Sequence, residues 1–174
     1  PSRSFVAMTG SDRTALARRA ANDFYRTPPA ATRALLAMER LPPVIWEPAC
    51  GDGAISSVLQ AAGHEVRSTD LVDRGFGAPR RDFLMEQEAL APCLVTNPPF
   101  KLADEFVLHA IALGIRHIAI LQRLAWLEGD ARRKSLWAKH PPARVWVFSK
   151  RVTMWRGDDP NAREKGGAIP FAWF

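Results

Sequence analysis

The apolar positions follow two different periods along the chain. Apolar runs within Val44-Ile45-Trp46, Leu94-Val95-Thr96 and His117 to Gln122 predict short buried strands. Between them, apolar residues recur every three or four positions, which predicts helices. Ser11 or Asp12 can cap a short basic helix reaching Ala21. Asn22 to Pro29 reads as a loop closing on a helix start, with Thr27 as N-cap and Pro28 as first helical residue, where its missing N–H costs nothing. Leu35, Leu36 and Met38 give that helix its apolar side, and Pro42-Pro43 end it. Ile55, Val58, Leu59 and Ala62 mark a second helix with Gly63 as its C-cap, and Ala103 to Leu113 a third, stopped by Gly114. Asp130 to Lys139 reads as a basic helix. Further strands are predicted at Glu65 to Leu71, Asp82-Phe83-Leu84, Val145 to Ser149 and Ala168 to Phe174. Strands alternating with helices call for an α/β fold whose parallel sheet is covered on both faces.

Composition narrows the class. The 174 residues are 47% apolar and 24% charged, ordinary for a folded domain and wrong for a disordered chain. With no repeat or low-complexity linker, residues 1–174 read as one domain with a short N-terminal helical extension. The most apolar stretch, Ile115 to Leu127, is broken by Arg116 and Arg123, so no spanning helix is expected, and Pro1 to Asp12 lacks a secretory pattern. Two cysteines, Cys50 and Cys93, make neither a disulfide framework nor a zinc site, which fits a reduced, cytoplasmic setting without a metal. Lys and Arg number 24 against 18 acids, a net charge of +6 that suits a polyanionic partner.

The candidate chemistry sits at two strand ends. Val44 to Trp46 leads into Glu47-Pro48-Ala49-Cys50-Gly51-Asp52-Gly53, at the position where an open α/β sheet binds its ligand. Glycines 51 and 53 permit a sharp turn and a close approach. The dinucleotide pattern G-x-G-x-x-G is absent, because Ser56 holds its third site. Acids at 47 and 52 would repel a pyrophosphate and suit an ammonium or sulfonium group. Asp70, at the end of the next strand, can accept hydrogen bonds from the hydroxyls of a ribose. Together these acids point to S-adenosylmethionine.

The second strand end carries Asn97-Pro98-Pro99-Phe100. Two prolines fix the backbone and remove two donors, leaving rigid acceptors. The Asn97 amide oxygen and the Pro98 carbonyl can accept both hydrogens of a planar NH₂ group. Two acceptors favour the positive charge that grows on such a nitrogen as it attacks a methyl carbon. Phe100 supplies a flat surface for the ring bearing the amine.

The segments Glu47 to Gly53, Asp70, Asp82-Phe83 and Asn97 to Phe100, in that order, resemble the motifs of S-adenosylmethionine-dependent amino-methyltransferases. Phe24-Tyr25-Arg26-Thr27-Pro28-Pro29 is similar to the extra N-terminal motif of the DNA N6-adenine group. The resemblance implies a Rossmann-like, seven-stranded mixed sheet, the class I methyltransferase fold, with its last strand antiparallel. It implies that Tyr25, Thr27 and Pro28 hold the methionine end of the cofactor. Glu47 and the backbone of Ala49, Cys50, Gly51, Asp52 and Gly53 would line its amino-acid and sulfonium part. Asp70 would take the ribose, Leu71 would pack on the adenine, and Asp82 with Phe83 would read the adenine edge. Asn97, Pro98, Pro99 and Phe100 would be catalytic, with no metal.

The implied partner is nucleic acid, most of all DNA, with RNA adenine or another planar amine (guanine N2, cytosine N4, protein glutamine) as the alternative. Arg123, Trp126, Trp155, Arg156, Arg163 and Lys165 lie near late strand ends and in the charged loop Met154 to Gly167, the candidate nucleic-acid surface. A base in a duplex would have to swing out to reach Phe100. Trp46 and Trp146 read as core, and His109 and His117 as packed residues. The chain has no room for a separate target-recognition domain. A non-catalytic binding module is disfavoured by the intact Asn97 motif, and a nicotinamide oxidoreductase by the acidic loop and missing third glycine.

Overall fold

The structure is a computed structural model and describes residues 24–156 and 169–174; the side chains of Trp155 and Arg156 are not described. In chain order the elements are β1 (Tyr25–Arg26), α1 (Pro29–Met38), β2 (Val44–Glu47), α2 (Ala54–Ala61), β3 (Glu65–Ser68), β4 (Cys93–Thr96), α3 (Ala103–Ala112), β5 (His117–Arg123), β6 (Trp146–Val147), β7 (Trp155–Arg156) and β8 (Phe171–Trp173). Six strands form the main sheet in the order β3-β2-β4-β5-β8-β6. β3, β2, β4 and β5 pair in parallel, and β8 inserts antiparallel between β5 and β6. β1 and β7 make a separate antiparallel ribbon.

The period-two geometry of strands sends neighbouring residues to opposite faces, and each face is buried by helices. Ile45, Cys93, Val95, Ala119 and Leu121 pack with Ala31 and Leu35 of α1 and Ile55 and Leu59 of α2. Trp46, Leu94 and Ile120 point the other way, onto Ala103, Phe106 and Ala110 of α3. Because both faces are covered, the inner strands read as continuous apolar runs. The C-terminal strand is also tied to α1: Trp173 Nε1 donates to the Ala31 carbonyl at 2.9 Å.

Several predicted elements come out differently. Among the described residues the sheet has six strands, against the seven expected; beyond β3 these residues add a single parallel bridge, Thr69 to Ala78. The stretch between them is rich in glycine and charge, without the β-branched run that a further strand would need. Helix α1 starts one residue later than expected, with Pro28 as N-cap and Pro29 in the first turn, because Thr27 is buried and its hydroxyl is used elsewhere. Asp82 to Leu84 is not a strand. Asp82 caps the 3₁₀ turn Phe83–Met85 by accepting from Leu84 N at 3.0 Å. The Asp130 to Lys139 helix is an α-turn, Asp130–Arg132, loosening into a π-helical stretch, Arg133–Trp137. Strand β3 stops at Ser68, and the last two sheet strands shorten to β6 and β8. Trp146 sits half-buried at the sheet edge, with Nε1 on Glu39 at 2.7 Å. The expected Ser11 to Ala21 helix and most of the Met154 to Gly167 loop lie outside the described residues.

Candidate active site

Most of the cofactor and catalytic positions expected from the sequence converge at the carboxyl edge of β2, β3 and β4. Tyr25, Thr27, Glu47, Ala49, Cys50, Gly51, Asp52, Asp70, Leu71, Asp82, Phe83, Asn97 and Pro99 line one cleft. Pro98 is buried just behind it, Phe100 opens a 3₁₀ turn at its mouth, and Gly53 starts α2. Pro28 faces a neighbouring groove beside Phe148 and Val152 instead.

The glycine loop needs its glycines. Gly51 and Gly53 have φ of +57° and +82°, a region that side chains with a Cβ enter only under strain. A Cβ at Gly51 would also meet the Phe24 ring, and one at Gly53 the Phe76 ring, each at 2.5 Å. The loop is braced from the next strand: Cys50 N donates to the Thr69 carbonyl at 3.0 Å, and Gly51 N to Asp70 Oδ2 at 2.7 Å. Asp70 Oδ1 accepts from Val72 N at 2.8 Å and pairs with Arg74 at 3.2 Å. A carboxylate has about four acceptor sites, so with three bonds made Asp70 keeps one for a hydroxyl, and a second becomes available where Arg74 lets go.

Charge in this half of the cleft is graded. Glu47 is fully buried beside Ser56 Oγ, and desolvation pushes its carboxyl well above the ordinary range, with Asp70 and Asp52 pushing the same way. Asp52 Oδ2 pairs with Arg26 Nε at 2.8 Å, while its Oδ1 is buried without a partner. An acidic group with an unmet acceptor fits an ammonium ligand. Burial first, then Glu47 and Asp70, pushes the Cys50 thiol up to about 12, which favours the protonated, unreactive form.

The Asn97 side chain is held from a distant part of the chain. Its Nδ2 donates to the Tyr25 carbonyl and to Thr27 Oγ1, both at 3.1 Å, and its Oδ1 is buried with no partner. Tyr25 and Thr27, which the motif likeness gives to the cofactor, therefore also orient Asn97. Phe100 stacks on Tyr25, 5.1 Å between centroids and 26° between planes. Arg26, Phe24 and Arg74 also line the cleft, beyond the site residues expected from the sequence. Arg26 bonds Asp52, and Arg74 bonds Asp70 while lying 4.4 Å over the Phe24 ring. Arg74 shows no signal in the sequence beyond its place four residues after Asp70.

Of the proposed nucleic-acid residues, Arg123 lies at the cleft mouth, its guanidinium 4.6 Å over Phe100. Trp126 does not. It is buried on the α3 face between Trp137 and Phe174, with Nε1 on Asp104 at 2.7 Å, because the 3₁₀ turn Leu124–Leu127 folds it inward. Trp155 and Arg156 form β7, paired with β1 at the cleft. Arg163 and Lys165 lie outside the described residues. Among the described residues no group of three His, Cys, Asp or Glu is placed to hold a metal, and no helix is long and apolar enough to cross a membrane.

No protein-family model and no curated protein matches the sequence. Solved structures do. A provisionally named RNA methyltransferase of Pyrococcus horikoshii superposes with a TM-score of 0.63 at 17% identity, over 96% of this chain and 97% of that one. The fold is the class I methyltransferase fold. The 23S rRNA methyltransferase ErmE gives 0.53 at 15% identity, over 86% of this chain and 67% of its own. Magnesium protoporphyrin IX methyltransferase of Synechocystis, solved with bound S-adenosylhomocysteine, gives 0.52 at 16% identity, over 99% and 89%. The same enzyme was also solved with S-adenosylmethionine.

Proposed function

We propose that the protein transfers a methyl group from S-adenosylmethionine to the exocyclic N6 amine of adenine in nucleic acid, with DNA as the first choice. The observation that carries this reading is Asn97: a neutral amide whose nitrogen is fixed by two acceptors, so that its oxygen stays buried, aimed and free. The cleft beside it fits the cofactor through the left-handed glycine loop, the unmet Asp52 Oδ1 and the braced Asp70.

When bound, S-adenosylmethionine supplies a methyl carbon activated by a sulfonium. The chain's own residues do the rest. Asn97 Oδ1 accepts one amine hydrogen, and the likeness of the motif gives the other to the Pro98 carbonyl. The amine lone pair is thereby turned out of conjugation and toward the methyl carbon, and the charge that appears on nitrogen meets an acceptor already in place. No base of shifted pKa is needed, because the product ammonium is acidic enough to release its proton to water.

DNA is favoured by the likeness of Phe24 to Pro29 to the N6-adenine group. RNA adenine is the second reading, and the superposition on ErmE, an rRNA enzyme, favours it. The deciding experiment is tritium transfer from labelled cofactor to DNA, RNA and protein in parallel, with the modified base identified by mass spectrometry. Label on adenine N6 supports the reading. Label only on protein, or none with any substrate, ends it.

A further inference from the structure

Phe100 offers the flat surface on which an acceptor ring would lie, yet that surface is taken. Tyr25 stacks on it, and the Arg123 guanidinium lies over it. Phe171 leans on it from 5.6 Å at a tilt of 42°. Arg123 is placed there by the backbone. It ends β5, its N–H is held by Gln122 Oε1 at 2.8 Å, and the same buried glutamine reaches the Phe100 carbonyl through Nε2 at 3.4 Å. One nitrogen of the guanidinium is poorly served. Nε is buried with no partner, and no ion pair among the described residues includes it. A buried N–H of a half-exposed cation, left without an acceptor, is a donor waiting for one.

We infer that Arg123 is the specificity-determining gate of the acceptor subsite: it occupies Phe100 until a nucleotide within a polynucleotide strand replaces it, base on the ring and phosphate on the guanidinium. The inference rests on the proposed function above. A planar base and a planar cation need the same surface, so one must leave. What compensates the departing arginine decides which acceptors enter. A phosphodiester takes two charge-assisted hydrogen bonds from a guanidinium and fills the valence that is empty now. A glutamine side chain or a free nucleoside brings the amine but nothing for the displaced cation. Selectivity for a strand over a small amine thus follows from one side chain.

The test compares wild type, Arg123→Ala and Arg123→Lys on two probes. Adenosine, a ring without phosphate, is followed by calorimetry. A short labelled adenine-containing oligonucleotide is followed by anisotropy over a salt series. Arg123→Ala is expected to bind adenosine about three- to tenfold more tightly, since the ring is vacated. The same variant should bind the oligonucleotide about tenfold more weakly, with a salt slope lower by about one. Arg123→Lys should restore the slope, because it keeps the charge. Loss of folding would weaken both probes together, so the opposed shifts separate the gate from simple damage. Equal or weaker adenosine binding by Arg123→Ala overturns the gate, even if wild type methylates nucleic acid. If the parallel tritium assay shows wild type transferring no label to nucleic acid, the proposed function has failed and the gate falls with it.

Discussion

The two halves of the cleft are built in different ways. The glycine loop is assembled mostly from neighbours: β2 delivers it and the residues just after β3 brace it through Thr69 and Asp70, with Arg26 and Phe24 reaching it from the β1 segment. The acceptor half is assembled from strangers. Asn97 is oriented by Tyr25 and Thr27, some seventy residues earlier, and its aromatic floor is shared with β5 and β8 through Arg123 and Phe171. Cofactor affinity should therefore depend on local residues, and the chemical step on contacts remote in sequence.

The sharpest way to break that contrast is Asn97→Ala. It should lower the single-turnover rate by about a thousandfold, the scale seen when one preorganised transition-state partner is removed, while calorimetry finds S-adenosylhomocysteine affinity within a few fold of wild type. A large loss of cofactor affinity would erase the division of labour. Asp70→Ala should do the reverse, weakening S-adenosylhomocysteine binding by about ten- to a hundredfold with little change in the rate at saturating cofactor, since it loses both the ribose acceptor and the brace on Gly51. Next in size is Thr27→Val, which keeps the side-chain shape and removes one of the two Asn97 partners. The expected cost is about tenfold in rate with cofactor affinity unchanged, and weakened cofactor binding would return Thr27 to the methionine end.

The smallest effect concerns Glu47. Its folded-state pKa lies above the ordinary value, so the native state holds a proton that the unfolded state gives up. That stability is present below the unfolded pKa and is lost as pH rises through the folded one. Denaturant melts between mildly acidic and neutral pH should show stability falling with pH in wild type. Glu47→Gln, a neutral isostere, should flatten that part of the profile, and an unchanged slope would place the proton elsewhere.

The sequence was legible where one residue type has one physical use. Glycines 51 and 53, set between an apolar run and a helical period, fall at positive φ, and Asn97 lies at the exit of a buried strand as its placement implies. Legibility ended where a residue has several uses. Thr27 could cap a helix or reach inward, and only the return of the chain past Asn97 decides. Three residues at Asp82 could not tell a strand from a capped turn. Trp126 carries the same indole whether it faces solvent or Asp104, and its orientation depends on a packed face that no local pattern records. The cations from Arg132 to Lys134 read as one basic helix, and no local pattern records that they bond Asp104 and Asp130.

The insertion of β8 between β5 and β6 has a consequence for how the protein is made. While a nascent chain leaves the ribosome, β5 must wait with one flank of its amide groups unpaired until the residues of β8, the sheet's last strand to be synthesised, arrive. Closure of that gap also brings Phe171 beside Phe100 and locks Trp173 to α1. Translation stalled before that point would leave a sticky, incomplete scaffold with Phe100 short of its Phe171 neighbour, and its fate would rest with chaperones and proteases.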